Sequence, residues 1–340
     1  MPWQPLNKYC WDFWFIEKDQ QLHVFFLQAT RWSCAYNPDR RHNLASVGHA
    51  ILTSFGWQEI APEKPVLAKR DGNYWDDISI WTGSIIEHED RYYMLYTSRY
   101  SQDEFVITTH ETRQPQNIGI AESIDLINWQ RTIESKEKPA IPNPGFASNL
   151  DGVSWRDPYV IKDDADKQFY AFICACPKDA PIDAGGVVAY VTSPDLENWQ
   201  STAEHVLYKS PEFRYLEVPS VFWRRNRDRN YWRLYLIFSP YWNRFFERRE
   251  AKGTYYVYSQ PIVDRSSISY ERIIWQNSSA SLLVAGLYGG KFVNPSSQEH
   301  PVFFGFPLED EAGHFIGGIS DPQWAIFDED GKIHLTYSQM

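Results

Sequence analysis

The chain has 340 residues, of which 43% are apolar, enough to bury a sizeable core and to exclude a disordered segment. A formal net charge of −11 argues against nucleic acid or an anionic membrane as the main partner. Its 15 Trp, 21 Tyr and 20 Phe suit strand-rich folds and surfaces that stack on sugars.

No stretch reaches the roughly 18 consecutive apolar residues of a membrane span. The opening MPWQPLNKYC lacks the basic-then-apolar pattern of a signal peptide, and a cytoplasmic location is the expectation. Residues 13–28, FWFIEKDQQLHVFFLQ, alternate aromatic and β-branched residues around an acidic turn and predict a hairpin. The cadence returns in SIIEHEDRYYMLYT (84–97), YVIKDDADKQFYAFI (159–173), VFWRRNRDRNYWRLYLIF (221–238) and KFVNPSSQEHPVFFGF (291–306). A second element follows the hairpins: GHAILTSFGWQEI (48–60), GIAESIDLINWQRT (119–132) and AYVTSPDLENWQST (189–202) each read as strand, turn, then Trp-Gln opening another strand. A looser copy surrounds Trp275. Five such units predict an all-β, five-bladed β-propeller with four-stranded antiparallel blades. It is read as a single domain over residues 1–340, with QWAIFDEDGKIHLTY supplying the closing hairpin.

Some residues are assigned to architecture. Trp57, Trp129, Trp199 and Trp275 recur with the repeat and are read as packing. Four cysteines in so long a chain do not make a disulfide framework, and Cys174 and Cys176, on one face of a strand, are read as core. His49 has nothing nearby to complete a metal site, so it is read as structural, and no metal or cofactor is expected. Arg224, Arg225, Arg227, Arg229, Arg244, Arg248 and Arg249 are read as a solvated edge, with an anion or partner site as the alternative.

In a propeller the innermost strand of each blade lines a central funnel, so carboxylates at the start of the first strand of each unit carry the information. Three stand out: Asp12 in CWDFWF, Asp157 in SWRDPYVI and Glu217 in YLEVPSVFW. Acids converging on one axis repel unless something pairs with them, and Arg156 is an obvious partner; for Asp157 and Glu217 a purely structural pairing with Arg156 is the alternative to a site role. Two carboxyl groups flanking a bond are the basic kit of glycoside hydrolysis, and crowding raises the pKa of the one that must act as acid. A third, held ionised by an arginine, would grip sugar hydroxyls.

These motifs resemble the β-fructosidase superfamily, glycoside hydrolase families 32 and 68, which holds invertases, inulinases and levansucrases. WDFW is similar to the levansucrase motif that carries the nucleophile, WRDP to the Arg-Asp-Pro motif of both families, and LEVP to the segment that carries the general acid. IWTGSII (80–86), VGHAILTSFGWQEI and GLYGGKFVN with PVFFGF add weaker likeness in the same order. The chain departs from the pattern in Phe13 and Trp14 after Asp12, in Val218 after Glu217, and in lacking room for the invertases' C-terminal β-sandwich.

The resemblance implies a retaining fructofuranosidase acting on sucrose or a related fructoside. Asp12 would be the nucleophile, Glu217 the acid/base and Asp157 the transition-state stabiliser. Arg156 would orient Asp157, while Trp11, Trp81 and Thr82 would wall the sugar subsite. Retention predicts Asp12 and Glu217 carboxyls about 5–5.5 Å apart. Alternatives are an arabinanase- or xylosidase-like hydrolase on the same propeller, a fructosyltransferase, or a non-catalytic carbohydrate-binding propeller. In each the partner is a small carbohydrate.

Overall fold

The computed structural model describes residues 2–102, 105–108, 111–200, 205–226, 228–241 and 251–337. Blade one comprises β1 (Lys8–Lys18), β2 (Gln21–Thr30), β3 (Ser46–Thr53) and β4 (Gly56–Glu59). Blade two has β5 (Ile80–His88) and β6 (Arg91–Arg99), then a separate hairpin of β7 (Phe105–Thr108) and β8 (Glu111–Arg113), then β9 (Gln116–Ser123) and β10 (Gln130–Arg131). Blade three is β11 (Leu150–Lys162), β12 (Phe169–Pro177), β13 (Val187–Ser193) and β14 (Val206–Lys209). Blade four is β15 (Tyr215–Asn226), β16 (Tyr231–Tyr241), β17 (Gly253–Tyr258) and β18 (Ser281–Ala285). Blade five is β19 (Leu287–Phe292), β20 (Val302–Pro307), β21 (Gln323–Phe327) and β22 (Ile333–Thr336).

The first strand of each unit is innermost, and these strands pack in a ring: β1 on β5, β5 on β11, β11 on β15, β15 on β19, and β19 back on β1. The result is the five-bladed β-propeller that the repeat predicts. Trp3 and Ile319 exchange backbone hydrogen bonds of 2.8 Å, stitching the N-terminal segment to blade five. Much of the apolar core lies between blades, because each sheet is apolar on both faces. Phe13, Phe304 and Tyr288 share one cluster, for example, while Leu95, Trp155 and Phe169 share another.

The Trp-Gln element proves less regular than expected. Trp57 lies inside β4, but Trp129 only precedes β10, while Gln200 and Trp275 form isolated bridges ahead of β14 and β18. The cause in blades two and three is the preceding turn. Asp125 accepts backbone hydrogen bonds from Ile127 and Asn128, and Asp195 does the same for Glu197 and Asn198. Leu126 and Leu196 take left-handed φ of 66° and 67°, and each following indole donates back to that leucine's carbonyl. The tryptophan therefore closes a turn rather than opening a strand.

Cys174 and Cys176 are fully buried and unbridged, as read. His49 stacks on Phe25 at 4.2 Å and hydrogen-bonds His23, a packing role. Arg224 departs from the solvated-edge expectation. It lies 4.0 Å over Phe327 and donates to the carbonyls of Pro295, Gln298 and Glu299, tying blade four to blade five. Arg225 bonds Asn230, and Arg229 pairs with Glu329. Arg227, Arg244, Arg248 and Arg249 lie outside the described residues.

Candidate active site

Every inner strand breaks its hydrogen-bond register at an equivalent place: Trp11/Phe13, Trp81/Gly83, Arg156/Tyr159, Glu217/Ser220 and Tyr288/Lys291; β11 has a second break, between Leu150 and Trp155. These are β-bulges, which re-aim a side chain out of the ladder. The acids therefore sit inside their strands at a kink rather than at strand entrances, which corrects the expectation from sequence. Asp12, Asp157 and Val218 adopt φ of 30°, 58° and 52°. For a β-branched residue such as Val218 that conformation is strained, on the order of 1–3 kcal/mol, and is held only if its surroundings insist on it. Gly83 is required at its bulge, because a Cβ there would lie 2.0 Å from the Leu95 carbonyl oxygen. Gly289, with φ of 61°, leaves open the space beside Asp12 Oδ1.

The bulges bring the three acids together. The Thr82 hydroxyl donates to Asp12 Oδ2. The Asp157 carboxylate receives the Val218 amide at 3.0 Å, and its own amide donates to Thr97 Oγ1 at 2.9 Å. Arg156 reaches two of the acids unequally. Its Nη2 bonds Glu217 Oε1 at 2.8 Å, while its Nε stands 3.8 Å from Asp157 Oδ2. The guanidinium thus grips Glu217 directly and Asp157 only at ion-pair range. Gln116 and the Tyr215 ring complete its seat, at 3.2 Å and 4.8 Å.

Burial pushes the Asp12 carboxyl up to about 7, with Asp157 and Glu217 adding to the rise and Thr82 opposing it. Burial also raises Asp157, while Arg156 pulls it down, Glu217 pushes it up and the Val218 amide lowers it. The site is thus under electrostatic strain of the kind that clusters at functional centres.

The expected subsite residues are placed unequally. Thr82 is buried and its hydroxyl is committed to Asp12. Trp11 is 3% exposed, with its ring edge-on to His42. Trp81 is half-buried, carries Arg99 at 4.0 Å over its face, and donates its indole N–H to the His42 carbonyl at 2.7 Å. Arg41 joins this wall, 3.8 Å over Phe315 and 5.4 Å from Trp11. Burial and the flanking Arg41 and Arg99 push the His42 imidazole down to about 3, so it stays neutral.

Sequence reasoning missed two residues of blade five. The Tyr288 hydroxyl donates to Glu217 Oε2 at 2.6 Å and has a second acceptor, the Ser239 carbonyl, at 3.2 Å. The Lys291 ammonium lies buried beneath the blade-four bulge. The available signal was the Gly289-Gly290 pair between them, since glycines inside a strand mark a bulge or close approach. Among the described residues no group of three or more His, Cys, Asp or Glu is arranged to hold a metal ion.

The profile of the glycosyl hydrolases family 32 N-terminal domain matches residues 36–295, a span that begins after Asp12 and includes Asp157 and Glu217. No curated protein matches the chain by sequence. Among solved structures, the inulosucrase from Halalkalicoccus jeotgali bound to kestose is similar with a TM-score of 0.68 and 17% identity, over 99% of this chain and 90% of that one. The sucrose-6-phosphate hydrolase from Lactobacillus gasseri gives 0.67 and 14%, over 97% of this chain. Fructan 1-exohydrolase IIa from Cichorium intybus, in complex with 1-kestose, gives 0.68 and 17%, also over 97%. The chain spans 63% and 58% of the length of those last two. At such identities the likeness is one of fold.

Proposed function

The chain belongs to glycosyl hydrolase family 32, and from that premise we propose that it cleaves a fructofuranoside, sucrose or a short fructan, by double displacement. One observation carries the proposal: three carboxylates from blades one, three and four, each set on or beside an inner-strand bulge, lie close enough to feel one another's charge, and Arg156 reaches two of them, Asp157 and Glu217. A binding site alone has no need of acids held against their mutual repulsion.

In the first step an Asp12 oxygen attacks the anomeric carbon as the bond to the leaving oxygen breaks, and Glu217 gives that oxygen its proton. In the second, Glu217 takes a proton from water, which releases the sugar from Asp12 with net retention. Asp157, fixed by the Val218 amide, accepts hydrogen bonds from ring hydroxyls. Tyr288 suits a residue that must be both acid and base. Its hydroxyl donates to Glu217 when the carboxylate is bare and can turn to the Ser239 carbonyl when Glu217 carries the proton. Trp81, half-buried and next in the chain to the Thr82 that bonds Asp12, would stack on a sugar C–H face.

The test is incubation with sucrose, short inulin-type fructans and arabino-oligosaccharides, with products followed by NMR from the first turnovers. The expected first product is β-fructofuranose, released by the wild type and lost in both Asp12→Asn and Glu217→Gln. Release of the inverted anomer, release of arabinose only, or unchanged activity in Glu217→Gln would overturn the proposal.

A further inference from the structure

Lys291 is 4% exposed, and no carboxylate pairs with it at ion-pair distance among the described residues. Its Nζ donates to Val218 O at 3.2 Å, Pro219 O at 2.9 Å and Ser220 Oγ at 2.9 Å, and stands 4.9 Å from the centroid of the Tyr159 ring. Three protons meet three acceptors, so the ammonium is saturated. All three acceptors belong to one feature, the bulge that follows Glu217.

A buried cation without a counter-ion is unfavourable, and an apolar side chain of similar length would fill the same space. The neighbourhood explains its presence. The charged and titratable groups around it are Asp12 from β1, Arg156, Asp157 and Tyr159 from β11, Glu217 from β15, and Tyr288 on its own strand. The left-handed Val218 is held from both sides, its N–H by Asp157 and its C=O by Lys291. One strained residue of blade four thereby joins the clamp carboxylate to a cation of blade five.

We propose that Lys291 is a positioning residue of the reaction: its buried ammonium locks the bulge that aims Glu217 and braces Asp157, and supplies the positive charge that lets Asp12 and Asp157 be ionised together. Burial pushes Lys291 down to about 7, while Asp157 and Asp12 favour its charged form. Reciprocally, Lys291 lowers Asp157. The inference rests on the roles proposed above for the three acids.

Lys291→Met tests it. The expected result is a loss of about 100-fold in kcat, the scale of a misplaced reacting group, with KM held within about threefold. The acidic limb of kcat/KM should also move up by about one pH unit, because carboxylates stripped of a nearby cation protonate more readily. A folded variant with the wild-type acidic limb overturns the inference, since a merely structural lysine would not move it. Should near-ultraviolet circular dichroism show the variant unfolded, 13C-lysine NMR of the wild type decides. Lys291 should titrate at lower pH in Asp157→Asn than in the wild type, and a titration that this substitution leaves unchanged overturns the inference. Activity surviving in Asp12→Asn and Glu217→Gln defeats the functional proposal instead, so the two failures are distinguishable.

Discussion

Replacing Asp12 with asparagine should stabilise the fold while abolishing the reaction. The carboxyl ionises at 3.8 in the unfolded chain and at about 7 in the native site. Between those values the native state holds a proton that the unfolded state has shed, so stability falls as pH rises through the window, and the penalty is complete above it. At about 1.36 kcal/mol per pH unit the full penalty is about 4 kcal/mol. An isosteric amide removes it and still accepts the Thr82 hydroxyl. With an unfolding entropy of about 0.7 kcal/mol/K for a chain of this length, that corresponds to a Tm about 6 °C above wild type at pH 8. At pH 5 only the first part of the window has been crossed, and the gap should shrink to about 2 °C. Calorimetry of both proteins at both pH values is the assay, with sucrose turnover in parallel. A variant no more stable than wild type at pH 8, or a gap independent of pH, would refute the electrostatic account of this site.

The same carboxyl predicts the pH profile. Asp12 must be ionised to attack, so kcat/KM should fall about tenfold per unit as pH drops below about 7, measured with sucrose at low concentration. Tyr288→Phe removes the hydroxyl from Glu217 Oε2, a bond to a charged group worth about 1.5–3 kcal/mol. Its kcat should drop about 10- to 100-fold with KM little changed, and a wild-type kcat would show that the bond does not serve the reaction. Asp76 is fully buried, bonded by Arg70 at 2.6 Å and Arg131 at 2.5 Å. Asp76→Ala leaves two cations unpaired, and the melting experiment should show a loss of about 3–5 kcal/mol.

The hairpins were legible because alternation is a local property. Residues 13–28 or 221–238 need no distant partner to declare themselves strands, since a pleated segment between two apolar layers places aromatic residues on both faces. The acids were legible because a carboxylate within an aromatic strand conflicts with its surroundings, and such conflicts collect at functional sites. The bulges were not. Among the four left-handed residues at them, only Gly289, which lacks a Cβ, announces its backbone, while Asp12, Asp157 and Val218 are held in place by partners on neighbouring blades.

Arg156 shows what sequence proximity leaves out. It adjoins Asp157 in the chain and does stand at ion-pair range of it. Its shorter contact, however, reaches across to Glu217 on the next blade, which chain order does not reveal. Tyr288 and Lys291 were missed for a related reason: the Gly289-Gly290 pair between them marks a bulge, but what it aims them at exists only once blade five is laid against blade four. The amino-acid sequence by itself determined the strands, their fivefold repetition and the acids worth watching, all readable from side-chain period and local conflict. Only the tertiary structure decided which groups face one another in the funnel, because contacts between inner strands exist only once the ring is closed. That closure is what turns SWRDPYVI from an acid beside its arginine into two residues that both reach blade four, Asp157 at Val218 and Arg156 at Glu217.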